Sequence, residues 1–276
     1  MLQAHTSILT EEYFMLQKVK VLLDQLKLRG IVDVIDNTIA NAEQNSPGIS
    51  EVLYTIFQAE YQHQQERTLQ NRLKLAKMPW DWTLDTFPFK EQPSVNKSQI
   101  MELAQLQFME RVENIIFMGE TGTGKSGLAI GLLRTAILNG YRGRFYNAQD
   151  LLDELYTSMA DRTTTKLFNQ LNNYDILLID ELGYLNLNPE QINMFFKLIE
   201  MRYRKKPTIV TTNLLFNEWY AVFKDKALVD AMLDRFRHYC IPIHIEGESL
   251  RKPTHKLPST LKKNTEKKQD NATATE

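Results

Sequence analysis

Apolar positions in the first third of the chain recur at helical spacing. Met15, Val19, Leu22 and Leu26 are separated by four, three and four residues, which gathers them on one helix face. Gly30 is expected to break that helix. A second short helix is predicted from Ile31 to Ala42, a turn at Pro47-Gly48, and a long helix from Ser50 onward. In the later part of that helix Arg67, Arg72, Lys74 and Lys77 alternate with Leu69, Leu73 and Leu75. Periodicity then lapses over residues 78–97, where Pro79, Pro88 and Pro93 punctuate the chain and Trp80, Trp82, Phe87 and Phe89 provide apolar anchors. Such a linker is too aromatic to float and is expected to pack along the next domain.

Beyond residue 98 the pattern changes to short apolar runs separated by helical stretches. Strands are predicted at Asn114–Met118, Arg144–Asn147, Asp175–Asp180, Thr208–Thr212 and Cys240–Ile245, with a helix over Gly127–Leu138. This alternation implies an α/β fold, a parallel sheet covered on both faces. Ligands in such folds sit at the carboxyl ends of the strands. After Arg251 the residues are mostly Lys, Thr, Ser, Pro and Asn, a composition that is disordered when alone. No internal repeat is visible. The expected organisation is a helical domain over 1–77, a linker over 78–97, an α/β domain over 98–250 and a basic tail over 251–276.

Composition narrows the class. The 276 residues are 43% hydrophobic, enough for one sizeable core and a smaller partner. A single cysteine, Cys240, excludes an internal disulfide framework and a thiolate zinc site. The five histidines lack metal-ligand spacing. No basic start precedes an apolar stretch, and no apolar run is long enough to span a bilayer. A soluble, cytoplasmic protein without membrane contact is expected. The net charge of −1 does not advertise nucleic acid, yet from Arg251 onward seven Lys or Arg face three Asp or Glu. That segment is either a solvated tail or a basic surface for phosphate backbones. The basic face at residues 67–77 is ambiguous in the same way, between DNA contact and the wet side of a packed helix.

Candidate chemistry begins at residues 119–126, Gly119-Glu120-Thr121-Gly122-Thr123-Gly124-Lys125-Ser126, with Gly127 following. This is the complete G-x-x-x-x-G-K-[ST] phosphate-binding pattern, between a predicted strand and a predicted helix. Its glycines let backbone N–H groups converge on anionic oxygens, and the following helix adds its positive end. Lys125 places a charge near the β- and γ-phosphates, and Ser126 offers a hydroxyl to Mg2+. The expected ligand is ATP with Mg2+. A second reading of the linker sets Phe87 to Gln92 beside the adenine ring.

The run Ile176-Leu-Leu-Ile-Asp180-Glu181 is a buried strand ending in two carboxylates. Asp180 suits Mg2+ coordination, and Glu181 suits a general base for water, which favours hydrolysis over transfer to a small-molecule hydroxyl. Thr208-Ile-Val-Thr-Thr-Asn213 ends in an amide, placed either to hold the lytic water or γ-phosphate or to form a turn. Arg235 and Arg237 lie near the end of a predicted helix. There a guanidinium either reaches a neighbouring subunit's γ-phosphate or complements the helix C-terminus.

These four motifs, in this order, resemble AAA+ ATPases of the IstB/DnaC-like branch, and within it the IstB-type transposition helpers. The likeness runs to about Pro253. Leu26-Lys-Leu-Arg-Gly30, the basic stretch Leu69 to Pro79, Phe89-Lys-Glu-Gln-Pro-Ser94, Asp180-Glu-Leu-Gly183, Leu233-Asp-Arg-Phe-Arg-His238 and Glu246-Gly-Glu-Ser-Leu-Arg251 all resemble segments of that family. The resemblance implies a five-stranded AAA+ P-loop domain behind a small helical domain, with Arg235 as arginine finger and Arg251 as second sensor. It implies a Mg2+-dependent, DNA-stimulated ATPase that oligomerises on duplex DNA, largely without sequence preference, and recruits or activates a transposase. It also implies a helical insertion, here Ala148–Ala160 with Thr164–Asn172, where Arg162, Thr163, Thr164 and Lys166 are positioned for phosphates. Two positions depart from the family. Gly127 stands where relatives often carry a larger residue, and Glu120, where many carry proline, is expected to point away from the phosphates. Two other readings remain open: a DnaC-like replicative helicase loader, and a nucleotide-gated DNA scaffold with little hydrolysis.

Overall fold

The computed structural model describes residues 2–251 apart from Tyr184, Asn186 and Lys224, and of the side chains within its helices it leaves aside those of residues 2–12, Phe236 and Arg237. The expected tail lies outside the described residues, save Arg251.

Three helices open the chain: α1 (Leu2–Gln25), α2 (Arg29–Asn45) and α3 (Ile49–Ala76). Gly30 does not break a helix, contrary to expectation. The break falls just before it, where Lys27 adopts a left-handed conformation (φ 60°), and Gly30 sits inside the first turn of α2. Its role is steric. A Cβ there would lie 2.7 Å from Ala59 O, Glu60 Cα and His63 Cβ, so the backbones of α2 and α3 meet at this point. The buried Glu60 carboxylate accepts the Ile31 N–H at 3.3 Å, satisfying one free donor at the start of α2. Met15, Leu22 and Leu26, part of the apolar face read from spacing, remain exposed.

Helix α3 is one uninterrupted rod of 28 residues. Its last turns leave the bundle and pack on the sheet: Leu69 and Leu73 press on the core, and Ala76 is fully buried. The Arg144 guanidinium donates to Leu75 O at 2.7 Å, occupying a carbonyl that the helix end leaves without an intrahelical partner.

The five strands are β1 (Asn114–Gly119), β2 (Gly143–Asn147), β3 (Ile176–Asp180), β4 (Thr208–Thr212) and β5 (Cys240–Ile245). All are parallel, in the order β2-β3-β4-β1-β5. This is the five-stranded sheet expected from the sequence. Side chains alternate across it. Ile116, Leu177, Ile179 and Val210 face one side, against α7 (Ala148–Ala160), α8 (Thr164–Asn173), α9 (Pro189–Arg202) and α11 (Lys226–His238). Ile115, Phe117, Leu178 and Ile209 face the other, against α6 (Lys125–Leu138), α4 (Lys97–Leu103), α5 (Gln107–Arg111) and the linker residue Leu84. Each fully buried aliphatic contributes about 1.5–3 kcal/mol, so the two-sided sheet is the main store of stability. A short helix, α10 (Trp219–Phe223), closes one end. No helix among the described residues is long and apolar enough to cross a membrane.

One buried cation ties this frame together. The Arg202 guanidinium donates to Thr208 Oγ1, Leu171 O, Tyr174 O and Pro207 O at 2.7–3.1 Å, and burial pulls its pKa down. Arg202→Met fills similar space but orphans these acceptors. It is expected to lower unfolding stability by about 2–4 kcal/mol, read as a shift in denaturation midpoint at constant slope. An unshifted midpoint would show that the network carries no net stability.

Candidate functional site

Strands β3, β4 and β1 lie side by side, so their carboxyl ends deliver three segments to one place. The β1–α6 loop carries the phosphate-binding motif, β3 ends in Asp180-Glu181, and Asn213 follows β4. Within the loop, Gly122 and Gly124 have φ of 89° and 97°, where a side chain is strained. Space forbids one as well: a Cβ on Gly122 would lie 2.1 Å from Ser249 Oγ, and one on Gly124 would lie 2.6 Å from Phe87 Cε2.

Lys125 is nearly buried at the start of α6 and donates to Glu120 O at 2.6 Å. Burial lowers its pKa, and the nearby Asp180 charge partly offsets this. Ser126 Oγ donates to Asp180 Oδ1 at 2.7 Å, and the Thr211 hydroxyl donates to the same oxygen. Asp180 is 3% exposed. Burial raises its pKa, against the two hydroxyl donors, which favour the carboxylate. Glu181 is exposed and left-handed (φ 61°); its N–H donates to Thr211 Oγ1 at 3.0 Å, and its carboxylate accepts Asn147 Nδ2 at 3.1 Å.

The cavity over these groups has a volume of about 510 Å³. Of the residues named from the sequence, Thr121, Gly122, Gly124, Lys125, Ser126, Gly127, Glu181, Asn213 and Arg251 line it. Gly119, Glu120, Thr123 and Asp180 do not reach its wall. Gly119 packs on the backbone of Ile245, and the Thr123 hydroxyl turns inward to Glu120 O at 2.8 Å. The Glu120 side chain is exposed. Asp180 lies behind Ser126.

The walls are laced together by the closing segment. Leu250 N–H donates to Gly122 O at 2.9 Å, Gln92 Nε2 to Glu248 O at 2.6 Å and Ser94 Oγ to Glu246 O at 2.6 Å. These bonds bring the linker, the phosphate loop and Arg251 into one rim. Residues not foreseen include Trp82, Thr83, Thr86, Asn147, Gln149, Thr211 and Leu250. Phe87, within the stretch read as flanking adenine, does line the cavity, as does Pro88.

Arg235 stands apart. Its guanidinium bonds Ala231 O at 2.9 Å and pairs with Glu200 at 3.4 Å, over the Tyr203 ring, and it does not line the cavity of its own chain. The basic residues are also elsewhere. Arg67 borders a groove with Asp24, Lys27, Arg29 and His63. Lys74 and Lys77 are exposed at the end of α3, and Arg72 is half-buried. Arg162 and Thr163 are exposed in the α7–α8 turn, Thr164 accepts a hydrogen bond from Ser158 Oγ at 3.1 Å, and Lys166 is exposed on α8. The Cys240 thiol is pushed up to about 12 by burial, which leaves almost no thiolate for chemistry.

Comparison with known proteins matches residues 21–258 to the model of the family described as IstB-like ATP binding protein. An ATP-binding protein of insertion sequence IS5376 from Geobacillus stearothermophilus is 39% identical over 210 residues, 76% of this chain and 84% of the relative. An ATP-binding protein of insertion sequence IS21 from Pseudomonas aeruginosa is 34% identical over 250 residues, 91% and 94%. Among solved structures, the DnaC helicase loader superposes with a TM-score of 0.52 at 26% identity, covering 62% of this chain and 100% of that one. DnaA from Aquifex aeolicus, solved with AMPPCP, superposes at 0.51 with 23% identity, covering 61% and 51%, a likeness of fold.

Proposed function

This chain belongs to the IstB-like ATP binding protein family, has the AAA+ fold, and from that premise we propose that it is an ATPase acting on duplex DNA in the service of a transposase. The observation that carries the hydrolytic reading is the convergence of Ser126, at the start of α6, with Asp180 and Glu181, at the end of β3 two strands away from β1, with Ser126 bonded to Asp180 across 54 positions of sequence. The loop backbone and Lys125 hold the triphosphate. Ser126 and Asp180 form the hydroxyl-carboxylate pair that would hold Mg2+, which would neutralise charge on the phosphates. Glu181 takes the proton of the attacking water, and Asn147, by bonding that carboxylate, sets its direction. Asn213 orients the same water. Arg251 adds a cation at the rim.

Arg235 completes the site of a neighbouring protomer. Its position outside its own cavity supports this, and its half-exposed pairing with Glu200 is weak enough to exchange. Arg235→Ala is therefore expected to bind ATP normally and turn over about a thousandfold more slowly. Mixing it with Glu181→Gln, also inactive alone, should restore phosphate release, because one protomer then brings Glu181 and its neighbour brings Arg235. Two inactive proteins that stay inactive when mixed would refute a shared site.

The basic residues on α3 and at the α7–α8 turn meet the DNA backbone. Their separation from the cavity leaves both ligands room. Affinity for duplex DNA is expected to fall about a hundredfold or more between roughly 50 and 200 mM salt and to vary little with sequence. Selective binding of one short sequence at the higher salt would contradict this. Recruitment of a transposase, as the insertion-sequence relatives suggest, is tested by co-purification with the transposase of the same element, with a hexameric helicase in parallel for the loader reading.

A further inference from the structure

Thr211 is a buried hydroxyl inside β4, beside the end of β3. The parallel register pairs Leu177 with Thr208, Leu178 with Ile209 and Ile179 with Val210, so the next step along both strands sets Asp180 beside Thr211. The Thr211 hydroxyl makes two bonds at once. It donates to Asp180 Oδ1 and accepts the Glu181 N–H at 3.0 Å. One donor and two acceptor positions on a hydroxyl make these bonds compatible. The Thr211 carbonyl takes the following donor, Leu182 N–H, at 2.9 Å. Three consecutive residues that end β3 are therefore held by one residue of β4.

This grip has a reason in the backbone. Glu181 is left-handed (φ 61°), a conformation that residues with a Cβ adopt only at a cost. The bend takes Glu181 and Leu182 out of the ladder, and both of their N–H groups find acceptors on Thr211. In an unbroken strand, successive side chains would point to opposite faces. Here both carboxylates serve one site: Asp180 is bonded to Ser126, and Glu181 lines the cavity. An aliphatic residue at position 211 would fill the same space and make neither side-chain bond.

We propose that Thr211 is a positioning residue for ATP hydrolysis: its one hydroxyl fixes both the Asp180 carboxylate and the bend that presents Glu181. This rests on the hydrolytic reading and deepens it by naming the group that couples the two acids. Thr211 lines the cavity, yet its hydroxyl is engaged by the acids and acts through them.

The test uses the full chain and two substitutions that separate hydroxyl from methyl. Thr211→Val keeps the shape and loses the hydroxyl; Thr211→Ser keeps the hydroxyl and loses the methyl. ATP is titrated in EDTA and over a series of Mg2+ concentrations, and phosphate release is measured at saturating Mg2+ and ATP with duplex DNA. In EDTA all three proteins are expected to bind ATP alike, because the loop and Lys125 are untouched. The Mg2+ concentration that half-saturates the tightening of ATP binding should rise about tenfold in Thr211→Val, the scale of losing a bond that orients a metal ligand. Turnover should fall about a hundredfold as both acids lose their support. Thr211→Ser should stay within about threefold of wild type in both readouts and yet melt at a lower temperature than Thr211→Val, since it lacks the buried methyl. A packing role alone would make serine the poorer protein throughout. Thr211→Ala, whose smaller side chain leaves room for a water beside Asp180, is read in the same way should the valine protein not fold. A wild-type Mg2+ requirement and turnover in Thr211→Val, or equal impairment of Thr211→Ser, would overturn the assignment of Thr211 and leave the ATPase reading in place. A wild-type protein that binds no ATP, or releases no phosphate with Mg2+ present, would overturn the hydrolytic reading and this assignment with it.

Discussion

Lys125→Ala is expected to reduce ATP affinity by at least about a hundredfold, the scale of losing one or two charge-assisted hydrogen bonds in a buried site. Burial already disfavours the charge on Lys125, and in the folded chain the ammonium answers to one carbonyl, Glu120 O, and to Asp180 nearby. A cation kept in such surroundings destabilises the fold, and an anionic ligand offsets that cost. The substitution should therefore leave thermal stability unchanged or raise it slightly while removing nucleotide binding. Titration of nucleotide and a melting curve on the same sample separate the two effects. Near-wild-type ATP affinity in a folded Lys125→Ala protein would remove the phosphate-binding role of the loop.

Glu181→Gln should split the properties differently. Hydrolysis is expected to fall by about two to four powers of ten, the range for losing a positioned general base, with ATP affinity altered no more than a few-fold. The split follows from geometry. Glu181 makes no hydrogen bond to Lys125 or Ser126, lines the cavity, and is bound through its carboxylate to Asn147. Glutamine keeps an oxygen to accept that bond, so the loop should hold its shape. Asp180 should not behave this way, because it answers directly to Ser126 and Thr211. Phosphate release measured at saturating ATP, with duplex DNA present, decides the matter; a turnover number equal to wild type would mean that another group activates water.

Much of the fold was legible because its signals are local. The runs at Asn114, Ile176 and Thr208 announce strands through consecutive apolar residues, and the loop at Gly119 declares itself by spacing alone. Observed strand limits differ from the expected ones by one residue or none. The misreading of Gly30 has a physical cause. Glycine interrupts a lone helix, yet it is also what lets two helices touch, and only the approach of Ala59 and Glu60, about thirty positions away, distinguishes the cases. The exposure of Met15, Leu22 and Leu26 was hidden for the same reason, since periodicity reveals a face without revealing what meets it. The carboxylates of Asp180 and Glu181 were visible as a strand end, whereas their supports were not. Asn147 ends one strand and Thr211 lies inside another, and nothing near either announces a partner on β3. Trp82 read as a linker anchor because its neighbour, Gly127, is brought to it only by folding.

The continuity of α3 has a mechanical consequence. At about 1.5 Å per residue, a rod of 28 residues extends roughly 42 Å. Its near end is clamped to β2 through Arg144, in the strand that finishes at Asn147, whose amide donates to Glu181. A tilt of about 5° at that clamp sweeps the far end through about 4 Å. A small movement of β2 at that clamp would thereby be geared up, with no break in the helix, into displacement at the far end of α3.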